Sequence, residues 1–251
     1  MKIQFVSDYV CPYCYVAKKP LVEACQGRDV EIEWVPFELS RPPKPRVDTY
    51  NDPVRRAKYA ETLVPLCREQ GIHMAIPPKV IPRPYTTKAF EGFHYAQAHG
   101  CGEAYNDRVY EAYFVHEQDI GDIDVLCDIA AQSGLDASDF RRALTEGDYA
   151  ETQRRAAEYS RETLGVRGVP TIFVDGQPIP GGIYTKEGFA ALLDDLANQH
   201  PADADAAPRC DENGCGSPSG CNEHGCGNHT GCDEHGCGNP TGCDEHGCGG
   251  N

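Results

Sequence analysis

The chain has 251 residues, 40% of them hydrophobic, and a formal net charge of −16 at pH 7. This length can bury one or two cores, while the negative charge argues against nucleic acid and anionic membrane surfaces as partners. Charges interrupt the short apolar runs and no apolar signal stretch follows Met1, so we expect a cytoplasmic protein without a membrane span.

The first predicted elements are a strand over residues 2–7 and a helix over residues 12–26, joined by the motif Cys11-Pro12-Tyr13-Cys14. The N–H groups and positive dipole at the start of a helix stabilise a thiolate, the form that attacks a disulfide. Pro12 suits a first helical turn, because the N–H that it lacks would be unpaired there anyway. One half of a zinc site, or two inert thiols, are the alternatives. A zinc site would need a second ligand pair, which about 180 following residues do not offer at matching spacing.

A second strand is predicted over residues 30–35, and residues 53–164 then carry only helical signals, with glycines just beyond the apolar periodicity. Strand character returns at 171–174, followed by Asp175-Gly176, a strong hairpin signal. A last amphipathic helix ends near residue 199. Strands at both ends of the chain therefore flank a helical insert.

This order of elements predicts an α/β fold, in which a thioredoxin-like sheet is interrupted by an inserted helical subdomain and followed by a low-complexity tail. We predict a discontinuous thioredoxin-like domain (1–52 and 165–199), a helical insert (53–164), a linker (200–209) and Cys-rich repeats (210–251).

Together these features resemble the DsbA-type thiol–disulfide oxidoreductases, specifically their FrnE-like cytoplasmic branch. The matching segments are residues 5–15, 37–39, 113–114, 119–120, 125–126 and 165–171. Tyr13 departs from the branch, which often carries Trp at this position of the motif, and the middle dipeptide tunes the reduction potential. The likeness covers about residues 1–199, and the Cys-rich tail after them is atypical of the family.

The resemblance implies a disulfide oxidase, reductase or isomerase, with the more exposed Cys11 as nucleophile and Cys14 as resolving thiol. It also implies a cis Val169–Pro170 bond opposite these cysteines, with the Val169 backbone free to pair with a substrate peptide. Taken alone, Pro170 would also fit a strand-initiating proline. Pro12 and Tyr13 are the further expected substrate contacts.

The expected partners are proteins or small molecules that carry thiols or disulfides, and the catalytic core should need no cofactor. The oligomeric state stays open. Two other functions also stay open: a glutathione-dependent transferase or isomerase of the same fold superfamily, and a metal-buffering protein acting through its tail. The transferase class uses a serine nucleophile, whereas this chain has Cys11 at the equivalent position.

The remaining thiols and two histidines of the folded part are expected to be structural. Cys25, Cys67, Cys101 and Cys127 occur singly, so we predict that each is a small buried hydrophobic residue. His94 and His99 share a predicted helix and are not expected to bind metal.

From residue 210 the chain repeats every eleven residues, as CDENGCGSPSG, CNEHGCGNHTG, CDEHGCGNPTG and CDEHGCGGN. Thiolates with imidazole suit zinc or copper, although each repeat needs ligands from a neighbour to complete a tetrahedral site. The candidate metal ligands are Cys210, Cys215, Cys221, His224, Cys226, Cys232, His235, Cys237, Cys243, His246 and Cys248. The competing interpretations are disulfides that exchange electrons with the first motif, and a low-complexity expansion without a role.

Overall fold

A computed structural model describes residues 1–199 and, after them, the backbone of six two-residue strands. The chain divides into two compact units, residues 1–193 and 194–251, which are described separately. The strands of the first unit are β1 (Lys2–Ser7), β2 (Glu31–Pro36), β3 (Thr171–Val174) and β4 (Gln177–Pro178). The helices are α1 (Pro12–Cys25), α2 (Pro53–Glu69), α3 (Thr87–Ala98), α4 (Gly102–Phe114), α5 (Ile123–Gln132), α6 (Ala137–Glu146), α7 (Ala150–Glu158) and α8 (Lys186–Gln199).

The four strands form one mixed sheet in the order β2-β1-β3-β4. Strand β1 runs parallel to β2 and antiparallel to β3, so it is a central strand. Its apolar residues Ile3, Phe5 and Val6 are completely buried, as expected for a strand covered on both faces. Phe5 lies opposite Trp34 in the register, and their rings meet edge to face at 5.3 Å.

The helical segment between β2 and β3 packs against the loop that follows β1. Tyr9 in that loop is buried, and its ring stacks on Phe90 of α3 at 4.5 Å and meets Tyr110 of α4 edge to face at 5.0 Å. Helix α3 in turn contacts α4, α5, α6 and α7. The aromatic side chains therefore join the helical segment to the end of β1 where the Cys-Pro-Tyr-Cys motif begins.

The helical segment differs from the sequence prediction in two places. Residues 70–86 contain no helix, although the sequence predicted only helical signals from 53 to 164. This stretch contains four prolines, which lack a backbone donor and disfavour helix in the residue before them. Tyr159–Thr163 form a π-helical turn after α7, whose wider backbone pattern the apolar periodicity did not indicate.

Three antiparallel hairpins are described in the second unit. They pair Cys210 with Cys215, Cys221 with Cys226, and Cys232 with Cys237 in direct register. The predicted linker 200–209 and the last repeat, with Cys243, His246 and Cys248, lie outside the described residues, as do His224 and His235.

Candidate active site

The Cys-Pro-Tyr-Cys motif forms the first turn of α1. Cys11 is the N-cap residue, with an extended backbone (φ −92°, ψ 111°), and its N–H donates to the Asp8 carbonyl at 3.0 Å. Its own carbonyl accepts from the N–H groups of Cys14 and Tyr15, at 3.1 and 3.2 Å. This local hydrogen bonding holds both cysteines on one helical turn, with Cys11 at the end where the helix dipole is positive.

Both cysteines are buried, and Cys11 is only slightly more exposed than Cys14, at 4% against 0%. Burial raises the pKa of the Cys14 thiol well above its ordinary value, and a hydrogen bond with Cys11 raises it further. The Cys14 side chain therefore favours the protonated thiol over the thiolate.

The loop before β3 brings a backbone carbonyl to the nucleophile. The Val169–Pro170 peptide bond is cis, and the Cys11 thiol donates to the Val169 carbonyl at 3.4 Å. Val169 packs against a buried cluster that includes Val6 and Phe173, which fixes the loop to the sheet. Cys11 and Val169 are therefore in hydrogen-bond contact although they are 158 residues apart in the sequence.

Aromatic rings surround Tyr13 of the motif. The Tyr13 hydroxyl lies 2.6 Å from Thr62 Oγ1, and its ring lies 6.2 Å from that of Tyr59 and 6.0 Å from that of Tyr184. Burial raises the pKa of Tyr184 to about 12, with a further contribution from Cys11. No sequence pattern indicates a role for Tyr184, because it lies in a loop without periodicity or a motif.

Asp8 is a second residue at the site whose role no sequence pattern indicates. Its carboxylate is completely buried and accepts the N–H groups of Leu39, at 2.6 Å, and Val10, at 3.4 Å. Burial raises the pKa of Asp8 to about 6, because desolvation outweighs these hydrogen bonds and the nearby Arg83 guanidinium. The motif therefore starts beside a carboxyl that changes charge close to neutral pH.

The Asp8→Asn variant should differ from the wild type by an amount that depends on pH. The folded state binds the Asp8 proton more tightly than the unfolded state, so this stabilisation is complete below about pH 4 and lost as pH rises through about 6. The rise in pKa from 3.8 to about 6 corresponds to at most about 3 kcal/mol. Urea unfolding from pH 4 to 8 should show the variant gaining stability relative to the wild type as pH rises.

Asp48→Asn is the matched control for this measurement. Hydrogen bonds from Asn51 lower the pKa of the exposed Asp48 carboxyl below 3.8, so its contribution to stability is lost only in more acidic solution, and Asp48→Asn should keep a nearly constant offset from the wild type between pH 4 and 8. A constant offset between Asp8→Asn and wild type is expected from altered hydrogen bonding. A difference that does not vary at all between pH 4 and 8 would contradict the assignment.

Comparison with known proteins agrees with this geometry. The family model of the DSBA-like thioredoxin domain matches residues 2–191. The chain belongs to this family. The match confirms the predicted DsbA-type membership and the thioredoxin-like fold, whereas the assignment to the FrnE-like branch stays a prediction.

Relatives of this DSBA-like chain include an uncharacterized protein, YwbO of Bacillus subtilis, 42% identical over 193 residues that cover 77% of this chain and 96% of YwbO. The crystal structure of probable DsbA oxidoreductase SCO1869 from Streptomyces coelicolor is similar, with a TM-score of 0.64 and 27% identity over 87% of this chain and 99% of that chain. The cytosolic disulfide reductase DsbM from Pseudomonas aeruginosa shares the fold, with a TM-score of 0.62 and 18% identity over 79% of this chain and 100% of that chain.

Most of the other cysteines of the DSBA-like domain are buried. Cys25, Cys67 and Cys127 are buried, as predicted, but Cys101 is partly exposed. The prediction was wrong for Cys101 because this residue is the N-cap of α4, at the edge of the helical packing.

The histidines and acidic residues of the described part form no metal site. His94 hydrogen bonds to Gln153 at 3.0 Å, and His99 stacks on Tyr95 at 4.0 Å. Within residues 1–199 no group of three His, Cys, Asp or Glu side chains is arranged to hold a metal. The same residues include no helix that is both long and apolar enough to cross a bilayer.

Proposed function

We propose that the chain catalyses thiol–disulfide exchange, with Cys11 as nucleophile and Cys14 as resolving thiol. The observation that carries this proposal is the position of Cys11 at the start of α1, with its thiol 3.4 Å from the Val169 carbonyl. Family membership and the similarity to the probable oxidoreductase SCO1869 support it.

The reaction exchanges two electrons and two protons between a protein dithiol and a substrate disulfide. The Cys11 thiolate attacks one substrate sulfur, which forms a mixed disulfide and releases the first substrate thiol. Cys14 then loses its proton and attacks the Cys11 sulfur, which forms the Cys11–Cys14 disulfide and releases the second thiol. The protein is oxidised and the substrate is reduced, and the reverse sequence oxidises a substrate dithiol.

In this proposal the backbone around Val169 and Pro170 binds the substrate. Pro12 and Tyr13 contact the substrate through their side chains. The Val169 carbonyl already accepts a hydrogen bond from Cys11, so a substrate that reaches the sulfur also reaches this carbonyl. Pro170 contributes no N–H, so pairing of this loop with an extended peptide would use the backbone of Val169. The proposed substrates are proteins or small molecules that carry thiols or disulfides.

Turnover of insulin disulfides with dithiothreitol as reductant tests the proposal. The full chain and a chain ending at His200 should both be active, because the family model of the DSBA-like thioredoxin domain matches residues 2–191. Activity in the shorter chain would also dismiss the interpretation as a metal-buffering protein alone. If neither chain turns over insulin or a small disulfide, the proposed function is wrong.

A transferase or isomerase of the same fold is a weaker candidate, because Cys11 stands where that class uses a serine. We place the exchange reaction in the cytoplasm, since buried single cysteines such as Cys25 and Cys67 suit a compartment that keeps thiols reduced.

We propose in addition that the tail binds zinc or copper(I). The repeats supply paired thiolates with an imidazole in three of the four units, which are ligands that these metals prefer. Direct register of the two cysteines in each described hairpin supports this use, since it brings both ligands of a repeat together.

The metal content of anaerobically purified, reduced protein should fall to background when the chain ends at His200, while disulfide exchange continues. Replacement of His224, His235 and His246 by asparagine should weaken metal binding. The first repeat already carries an asparagine, Asn213, at the corresponding position. Elemental analysis and competition with a chelator measure both effects. A full chain without metal, whose tail thiols oxidise in pairs at the potential of Cys11–Cys14, would favour the redox interpretation.

A further inference from the structure

A cavity of about 350 Å³ opens directly beside the nucleophile. Cys11, Pro12 and Tyr13 form one wall, and α2 forms another with Arg55 and Lys58. The cavity therefore begins at the reacting sulfur and extends towards positively charged side chains. Its volume suits a small ligand, because binding pockets for small molecules start at roughly 300 Å³.

The charge of the cavity is opposite to that of the chain. Three cations line it, Arg55, Lys58 and Arg83, against one lining carboxylate, Asp52. The whole chain carries a net charge of −16. The three cations near the Cys11 thiol therefore form a positively charged region on an otherwise acidic protein. Such a local potential attracts anions even when the whole molecule is acidic.

Asp52 is already engaged within α2. Its carboxylate caps the helix by accepting the Arg55 N–H at 3.0 Å, and it lies 3.4 Å from Arg55 Nε. The buried Asp8 carboxylate, which does not line the cavity, interacts electrostatically with Arg83. These two acids offset part of the positive charge, and among residues 1–199 no ion pair engages Lys58, the third cation of the cavity.

Lys58 lies three residues after Arg55, so both side chains project from the same face of α2. Within residues 1–199 the Lys58 ammonium makes no ion pair or hydrogen bond, and the residue is exposed. Arg83 uses one nitrogen for Ser40 Oγ at 2.9 Å and has further donors. Val10 and Tyr59 add apolar surface to the lining of the same cavity.

We propose that this cavity binds the carboxylate of small anionic thiols, so that Cys11 exchanges preferentially with disulfides carrying a carboxylate a few atoms from sulfur. This inference rests on the proposed exchange function and names its substrate class. A cavity lined by guanidinium and ammonium groups, apolar side chains and the Cys11 residue suits a thiol compound that carries a carboxylate on a short carbon chain. Each reaction oxidises the Cys11–Cys14 dithiol by two electrons and yields two substrate thiols.

Three disulfides with the same two-carbon spacing test the proposal on the reduced full chain. They are bis(2-carboxyethyl) disulfide, which is dianionic, bis(2-hydroxyethyl) disulfide, which is neutral, and cystamine, which is dicationic. Second-order rate constants for oxidation of the protein are measured by acid quench, alkylation and mass spectrometry. Each rate constant is divided by the rate constant for the reaction of dithiothreitol with the same disulfide. This ratio corrects for differences in intrinsic reactivity among the three disulfides.

The normalised constant should be about tenfold higher for the dianionic than for the neutral disulfide, and lowest for cystamine. Lys58→Gln should lower the dianionic-to-neutral ratio by about two- to fivefold, and Lys58→Glu should lower it further while raising the constant for cystamine. High salt should reduce the ratio as well. Lys19→Gln removes an exposed lysine of α1 that does not line the cavity and should leave the ratio unchanged.

A dianionic-to-neutral ratio near or below one, unaffected by Lys58→Gln, would overturn the anion preference while leaving disulfide exchange intact. Oxidation of the protein by none of the three disulfides would instead overturn the proposed function itself. The two failures are therefore distinguishable in one set of reactions.

Discussion

Cys11→Ser should reduce disulfide turnover by about a thousandfold or more, because a serine hydroxyl is not ionised near neutral pH and forms no disulfide. Cys14→Ser should have a different consequence. The variant keeps the nucleophile but loses the thiol that releases the substrate, so a mixed disulfide between Cys11 and substrate should accumulate. Insulin reduction measures the first effect, and intact-protein mass spectrometry under non-reducing conditions measures the second.

Cys101→Ser is the matched control, since Cys101 is a partly exposed thiol at the start of α4 and lies outside the site. It should retain wild-type turnover and form no lasting adduct. Near wild-type turnover in Cys11→Ser, or an adduct in Cys14→Ser that maps to another cysteine, would contradict the roles assigned to the motif.

Gly92→Ala should destabilise the helical segment strongly, although alanine normally favours helix. A Cβ at this position of α3 would lie 2.3 Å from Tyr105 Oη and 2.7 Å from Phe140 Cζ. Both rings are completely buried, so neither can move without displacing other core residues. Overpacking of this kind costs about 1–3 kcal/mol or more, which exceeds the gain of about 1 kcal/mol in helix propensity.

Urea unfolding of Gly92→Ala, Tyr105→Phe and the double variant tests the cause. Removal of the Tyr105 hydroxyl relieves the closest contact, so Gly92→Ala should cost less in the Tyr105→Phe background. Tyr105→Phe alone loses the hydrogen bond to the Ala89 carbonyl at 3.3 Å and supplies the baseline. Equal costs in both backgrounds, or a stabilising Gly92→Ala, would exclude the clash as the explanation.

Local patterns in the sequence predicted the elements that carry the chemistry. The alternation of apolar residues over 2–7 corresponds to β1. The Cys-Pro-Tyr-Cys motif and the apolar spacing after it correspond to the start and the body of α1. These features follow from neighbouring residues alone, since a proline at N1 and side-chain periodicity act within one or two turns. The hairpin at Asp175-Gly176 was predicted for the same reason, and β3 and β4 flank it.

The segment between α2 and α3 shows where local patterns fail. Residues 70–86 have few regular backbone hydrogen bonds, so no periodicity marks their course. They nevertheless bring Arg83 towards Asp8 and into the cavity beside Cys11. A lone arginine among prolines carries no sequence signal for such a position.

The sequence by itself determined the candidate nucleophile and the order of strands and helices, because both depend on contacts between residues close in the chain. Only the tertiary structure decided that Asp8 is fully buried, that Cys11 is also mostly covered, and that Arg55, Lys58 and Arg83 surround one cavity. Burial and charge at a site are sums over residues distant in sequence, and packing alone brings those residues together.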